Sequence, residues 1–204
     1  MTTLDEAPKT LTTSEVRHRL ANVFQLLSTL TRMRIQRASD DETRRQLSWT
    51  LDAVGALGAL QQRMIDPSGG DFAAFLNDML PLWRRRCAGR PIQLEVQATP
   101  MLMREHLASA LAVITHELVT NAISHAHPDG RPGAVQVTLE VLPEGRAAIT
   151  VRDDGVGYGP AAADDRSKLG LWLIRGLTDQ VKGVMTLSLE GGVTARLEFP
   201  VGVG

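Results

Sequence analysis

Apolar positions recur along the chain with two different periods, and the change between them divides it. Val16, Leu20, Val23, Leu27 and Leu30 are spaced by alternating steps of four and three residues. That is a heptad seam, suited to a helix that packs in a bundle. Thr12 and Glu15 stand three apart, as in a capping box, and place the helix start there. Ser39-Asp40-Asp41 reads as a turn, and Leu47, Leu51, Val54 and Leu57 carry a second helical pattern that ends near Met64. Two helices joined by so short a turn should pack antiparallel. A lone hairpin leaves part of its apolar stripe without partners, and dimerisation into a four-helix bundle would supply them.

Residues 66–70, Asp-Pro-Ser-Gly-Gly, mark a domain boundary. Beyond it the spacing predicts a helix over 71–86 capped by Asp71, with Pro81 kinking or ending it. Alternating apolar positions predict strands over 91–98, 134–142, 147–152, 184–189 and 193–199, the last two joined at Gly191-Gly192. Helical patterns cover 102–126 and 169–182, and the Gly/Ala/Asp-rich stretch 155–168 reads as a mobile loop. The expected architecture is α+β: a tail over 1–11, a helical hairpin over 12–66, and over 71–204 a layer of helices on one face of a mostly antiparallel sheet.

Composition narrows the function classes. A formal net charge of −1 gives no bulk attraction to nucleic acid or anionic lipid, and an aromatic content of 4% argues against base-stacking platforms. Cys87 is the single cysteine, so there is no internal disulfide and no cysteine metal cluster. The first residues lack the basic start and apolar core of a signal peptide, and no apolar run approaches the ~20 residues of a membrane helix. These features suit a cytoplasmic protein that binds neither nucleic acid nor membrane.

Four stretches carry candidate chemistry. In 15–25, EVRHRLANVFQ, His18 lies two residues past Val16, about 200° around the helix from the seam, and so faces solvent. A neutral imidazole has a free ring nitrogen and can accept a phosphoryl group; it can equally be an ordinary solvated histidine. Glu15 and Asn22 lie one turn to either side on the same face. Glu15 either orients the ring and takes its proton, or serves as the capping-box acid, or pairs with Arg19. In 116–130, Glu117 and Asn121 share a helical face and form a hard-oxygen pair suited to Mg²⁺, or a buried polar pair tying helix to sheet. In 151–159, a strand ends in Asp153, followed by Gly155 and Gly157: a ligand-approaching loop or a plain tight turn. In 167–177, Gly170 precedes an apolar helix starting before Leu171, whose bare amides with Lys168 could hold phosphate, or which could be a simple loop-to-helix junction.

In this order the four stretches resemble the sensor histidine kinases, in particular the HisKA_2 type with its H-R-x-x-N-x-x-Q acceptor helix, related to the HWE kinases. His18, Arg19, Asn22 and Gln25 match that helix, with Glu15 ahead of it. Glu117, Asn121, Ala122 and His125 match the asparagine box of the GHKL, or Bergerat, ATP-binding fold shared with gyrase and MutL. Asp153, Gly155 and Gly157 match its D-x-G-x-G box, Gly170 its second glycine box, and Thr194 the threonine near the last strand. The resemblance implies ATP and Mg²⁺ as cofactors, Asp153 on the adenine amino group, Asn121 on Mg²⁺, and an ATP lid over 158–168. It implies autophosphorylation of His18 in a homodimer and transfer to an aspartate of a response-regulator receiver domain. Ser124 stands where many relatives carry a phosphate-facing lysine. With only about eleven residues ahead of the acceptor helix, the input is expected from a separate sensor protein or from an N-terminal sensor portion that this sequence does not include. The alternative is a histidine phosphotransfer relay with a reduced ATP site; a partner-sequestering regulator would leave the His18 helix without a use.

Overall fold

The computed structural model describes residues 13–64, 70–157 and 165–201, with only the backbone of residues 13, 14, 16–18 and 165–169. Thr12 of the expected capping box, most of the expected boundary at 66–70 and the expected lid up to residue 164 lie outside it. The chain divides into two compact units, Met1–Gly58 and Ala59–Gly204.

The first unit holds α1, Thr13–Arg37, and most of α2, Asp41–Met64, joined by a short turn. Asp40 Oδ1 accepts the Thr43 amide at 2.7 Å and starts α2. Among the described seam residues of α1 only Leu20 is half-buried. Val23, Leu27 and Leu30 are 49%, 43% and 49% exposed, whereas Leu20, Phe24, Ser28, Thr31 and Ile35 are half-buried. Gly58 of α2 faces Phe24, where a Cβ would lie at an ordinary contact distance of 3.8 Å from Phe24 Cβ.

The second unit opens with the last turn of α2, where Arg63 pairs with Asp78 at 2.7 Å and Gln61 donates to Glu105 at 2.7 Å. Helix α3, Phe72–Arg86, starts as expected at Asp71, whose Oδ1 accepts the Ala73 and Met101 amides, both at 3.0 Å. Pro81 does not end α3. It removes one backbone donor, but Met79 and Trp83 on either side are 1% and 0% exposed, and that burial carries the helix on to Arg86. Strand β1 is Ile92–Ala98, and α4, Glu105–His125, begins three residues later than expected. The skipped segment pairs instead with the residues before α3, through a bridge between Asp71 and Leu102.

Strands β2, Gly133–Leu142, and β3, Arg146–Asp153, form a hairpin; α5, Asp165–Gln180, then leads to β4, Val184–Ser188, and β5, Thr194–Pro200. The sheet order is β1-β2-β3-β5-β4, with β1 and β2 parallel and the other neighbours antiparallel. Register aligns Val137 with Val151 and Ala195, and Leu139 with Ile149 and Leu197; all six are buried. Helices α3, α4 and α5 pack on this sheet. The alternate positions Thr138, Thr150 and Arg196 stay partly open, and there Arg196 bonds Glu140 and Glu198. This is the expected α/β sandwich, covered on one face.

Helix α4 is long and apolar enough to cross a membrane by composition, contrary to the reading of the sequence, yet 72% of that stretch is buried inside the unit. It is the core helix. Within it His116 accepts the Trp83 indole N–H at Nδ1, 3.1 Å away, while Nε2 has no partner. Burial, helped by Arg86, lowers the His116 pKa from 6.5 to about 4. The unfolded chain takes this proton up near pH 6.5 and the folded chain only near 4, so acid favours unfolding across that window. Stability should fall by roughly 3 kcal/mol as pH drops from 7 to 4. Denaturation midpoints across that range check this, with His116→Gln flattening the dependence.

Candidate functional site

The core face of the sheet delivers Asp153. Its place in the register opposite Val135 puts it on the same buried side as the apolar rows, at the end of β3. It is 5% exposed, and its Oδ1 accepts the Gly155 amide at 2.9 Å and the Val193 amide at 3.1 Å. Both bonds fall on one oxygen, so the carboxylate is fixed in orientation and Oδ2 is not used by either amide. The turn that follows sits against the end of α4. A Cβ on Gly155 would lie 2.3 Å from the Ala126 carbonyl oxygen, and Val156 donates its amide to that oxygen at 2.9 Å. Glycine at 155 is therefore a packing requirement, beyond turn propensity. Gly157 has φ +72°.

Helix α4 delivers the second group. Glu117 is 5% exposed, and Asn121, half-buried one turn on, donates Nδ2 to Glu117 Oε1 at 3.3 Å. The amide oxygen of Asn121 is thus turned away from Glu117. A Cβ on Gly170 would lie 2.3 Å from Glu117 Oε1, so α5 closes directly onto this carboxylate. The structure brings together Glu117, Asn121 and Gly170, and separately Asp153, Gly155 and Val193, with the two groups joined through α4. Thr194 is half-buried and follows Val193 directly. His125 is exposed at the last position of α4, and Ser124 is exposed beside it.

Gly170 does not precede its helix. Helix α5 starts at Asp165, which places Gly170 in its second turn and Leu171, half-buried, beyond that. Gly170 and the Gly/Ala/Asp-rich stretch ahead of it read locally as loop, but packing against Glu117 needs a small residue inside a helix. The side chain of Lys168 lies outside the described atoms. So does that of His18; Glu15 and Asn22 are exposed on α1, in the first unit.

Among the described residues no group of three or more His, Cys, Asp or Glu is placed to hold a metal. Mg²⁺ bound with a triphosphate needs only one or two protein oxygens, and the Asn121 amide oxygen with the Glu117 carboxylate fits that requirement. A cleft of about 500 Å³ lies elsewhere, at the junction of α3 and β1, lined by Arg84, Cys87, Arg90 and Glu95; none of the candidate nucleotide-site residues lines it. No local pattern marks Val193, whose amide fixes Asp153 from 40 residues away, nor His127 and Asp154, which meet beside the same turn.

A one-face sandwich with an acid–amide pair on its core helix and a fixed aspartate at a strand end defines an ATPase domain of the histidine kinase type. The chain belongs to the histidine kinase-like ATPase domain family, whose model matches residues 90–195, just over half of its 204 residues. It is similar to the sensor histidine kinase PdtaS of Mycobacterium tuberculosis, 26% identical over 210 residues, covering 95% of this chain and 40% of that protein. It is also similar to blue-light-activated histidine kinase 2 of Erythrobacter litoralis, 28% identical over 201 residues, covering 92% of this chain and 56% of that protein. The chain therefore spans roughly half the length of these relatives. Its fold is that of a solved blue-light activated histidine kinase of Erythrobacter litoralis, with TM-score 0.73 at 22% identity over 96% of this chain and 62% of the other.

Proposed function

We propose that the chain is an ATP-dependent histidine kinase that phosphorylates itself on His18 and passes the phosphoryl group to an aspartate of a response-regulator receiver domain. The observation that carries this reading is the pair of groups on and beside α4: Asn121 turned by Glu117 within the helix, and Asp153 held by one oxygen in the strand whose following turn packs on the helix end. Asp153 Oδ2 would accept from the adenine amino group, with Gly155, Gly157 and Thr194 shaping the backbone around the base. Asn121 and Glu117 are the oxygen donors that would hold Mg²⁺, which neutralises charge on the triphosphate when bound. With α5 starting at Asp165, the amides of its first turn are the candidates for phosphate contact, in place of those before Leu171. Lys168 adds a cation and His125 stands at the open end of α4.

His18 would attack the γ-phosphorus in line: the N–P bond forms, the bond to the β–γ bridging oxygen breaks, ADP leaves, and the ring proton passes to Glu15 or solvent. Asn22, one turn on, would hold the ring's orientation. The exposed apolar stripe of α1, which includes Leu26 at 58% and Met33 at 44% beside the seam residues, supports residues 12–66 as an antiparallel hairpin that a second copy completes to a four-helix bundle. Residues 71–204 are the ATP-binding domain under this reading. A cytoplasmic site, where ATP and receivers are found, is consistent with a core-buried α4 and a buried Cys87 thiol, whose pKa burial raises. The input comes from a sensor region or a separate sensor protein.

Incubation with γ-labelled ATP and Mg²⁺ tests the reading. Wild type should take up acid-labile label, and His18→Ala and Asn121→Ala should each lose it, by at least about a hundredfold if in-line attack and charge neutralisation are both removed from the transition state. A wild type that takes no label from ATP but accepts it from a phosphorylated receiver would show a relay instead, the outcome that exposed Ser124 in place of a phosphate-facing lysine favours.

A further inference from the structure

We propose that His127 is a positioning residue for the nucleotide: through Asp154 it holds the turn that carries Asp153 against the exit of α4. This rests on the reading of the site given above. His127 is 3% exposed, two residues beyond the last residue of α4, and its Nε2 lies 3.0 Å from Asp154 Oδ1. At that distance the ring and the carboxylate are in direct polar contact, an ion pair when the ring is protonated. Its ring fills the space above Gly133, where a Cβ would lie 1.9 Å from Nε2; a side chain at 133 would expel it.

Asp154 gathers the surroundings of that turn. Its Oδ1 also accepts the Ala134 amide at 2.8 Å, and its carbonyl accepts from Arg131 at 3.2 Å. The Ala134 amide first, and the nearness of His127 after it, keep its carboxyl below the usual carboxylate range. On one side of Asp154 stands Asp153, fixed by Gly155 and Val193; on the other, Gly155 and Val156 lie against Ala126. The turn is thus pinned to the end of α4 at two successive residues, Ala126 through backbone and His127 through its side chain. Ala126 cannot be varied without touching the helix end, but His127 can. The Asp154 side chain is 55% exposed, which screens the pair and keeps the effect modest.

A histidine that only filled space would be replaceable by a ring of similar size. Titrations of the full chain with ATP and Mg²⁺ by calorimetry, with melting curves alongside, separate the two roles. His127→Phe should melt near wild type yet bind ATP about fivefold more weakly. His127→Gln, with an amide donor, should recover part of that loss. Asp154→Asn should weaken binding to a similar degree, and the double variant His127→Phe/Asp154→Asn no further, because both remove one interaction. Binding by His127→Phe equal to wild type, a loss that only tracks the melting temperature, or losses that multiply in the double variant would overturn the proposal while leaving the site reading intact. A wild type that does not bind ATP would overturn the site reading and this proposal with it.

Discussion

Asp153→Asn should weaken ATP binding by about thirty- to a hundredfold while leaving the fold in place. The reason lies in which oxygen is already committed. Oδ1 accepts the Gly155 and Val193 amides, so an asparagine must keep its oxygen there to avoid setting donor against donor. Its Nδ2 is then forced to the position from which Asp153 would accept the adenine amine. Two donors would face each other, at the cost of a buried polar group without a partner. A purine with a carbonyl at that place would meet a donor instead, so the ratio of GTP to ATP affinity should rise in the variant. Titration of both nucleotides checks this; an unchanged ATP affinity would remove Asp153 from the adenine contact.

The second large effect concerns the scaffold. Trp83→Ala should cost about 4 kcal/mol of folding stability, a substantial share of the 5–15 kcal/mol typical of a domain. Trp83 is fully buried on the last turn of α3, and its indole N–H is the donor to His116 Nδ1. Removing it opens a cavity and orphans a ring whose other nitrogen already lacks a partner. Trp83→Phe keeps most of the volume and loses the donor, so it should cost about 1–3 kcal/mol, with the difference between the two variants reporting the cavity. Urea denaturation midpoints at pH 7.5 measure both.

Trp83 also shows where reading the chain residue by residue stops. Pro81 is a local signal against helix, and by itself it argues correctly; what outweighs it is the burial of Met79 and Trp83 against partners distant in sequence. The start of α5 went the same way. Gly170 and the Gly/Ala/Asp-rich stretch ahead of it look like loop because nothing local shows that Glu117, on another helix, needs a neighbour without a side chain. The heptad seam of α1 was legible as a pattern, but not which of two adjacent stripes turns toward α2, since a helix with Phe24 and Leu27 neighbouring each other offers both. Asp153, Asn121 and Glu117 were legible because each stands in a short motif whose spacing has a physical meaning. Val193 and His127 were not: their contacts with the Asp153 turn close across long stretches of chain, and neither residue type announces the contact.

The phosphoryl group itself gives the most direct test. After incubation with ATP and Mg²⁺, the intact 204-residue chain can be digested and the modified peptide mapped by mass spectrometry under conditions that preserve phosphoramidates. One acid-labile, base-stable modification is expected, on the peptide containing His18. A modification on any other residue, or none in a chain shown by calorimetry to bind ATP, would contradict it.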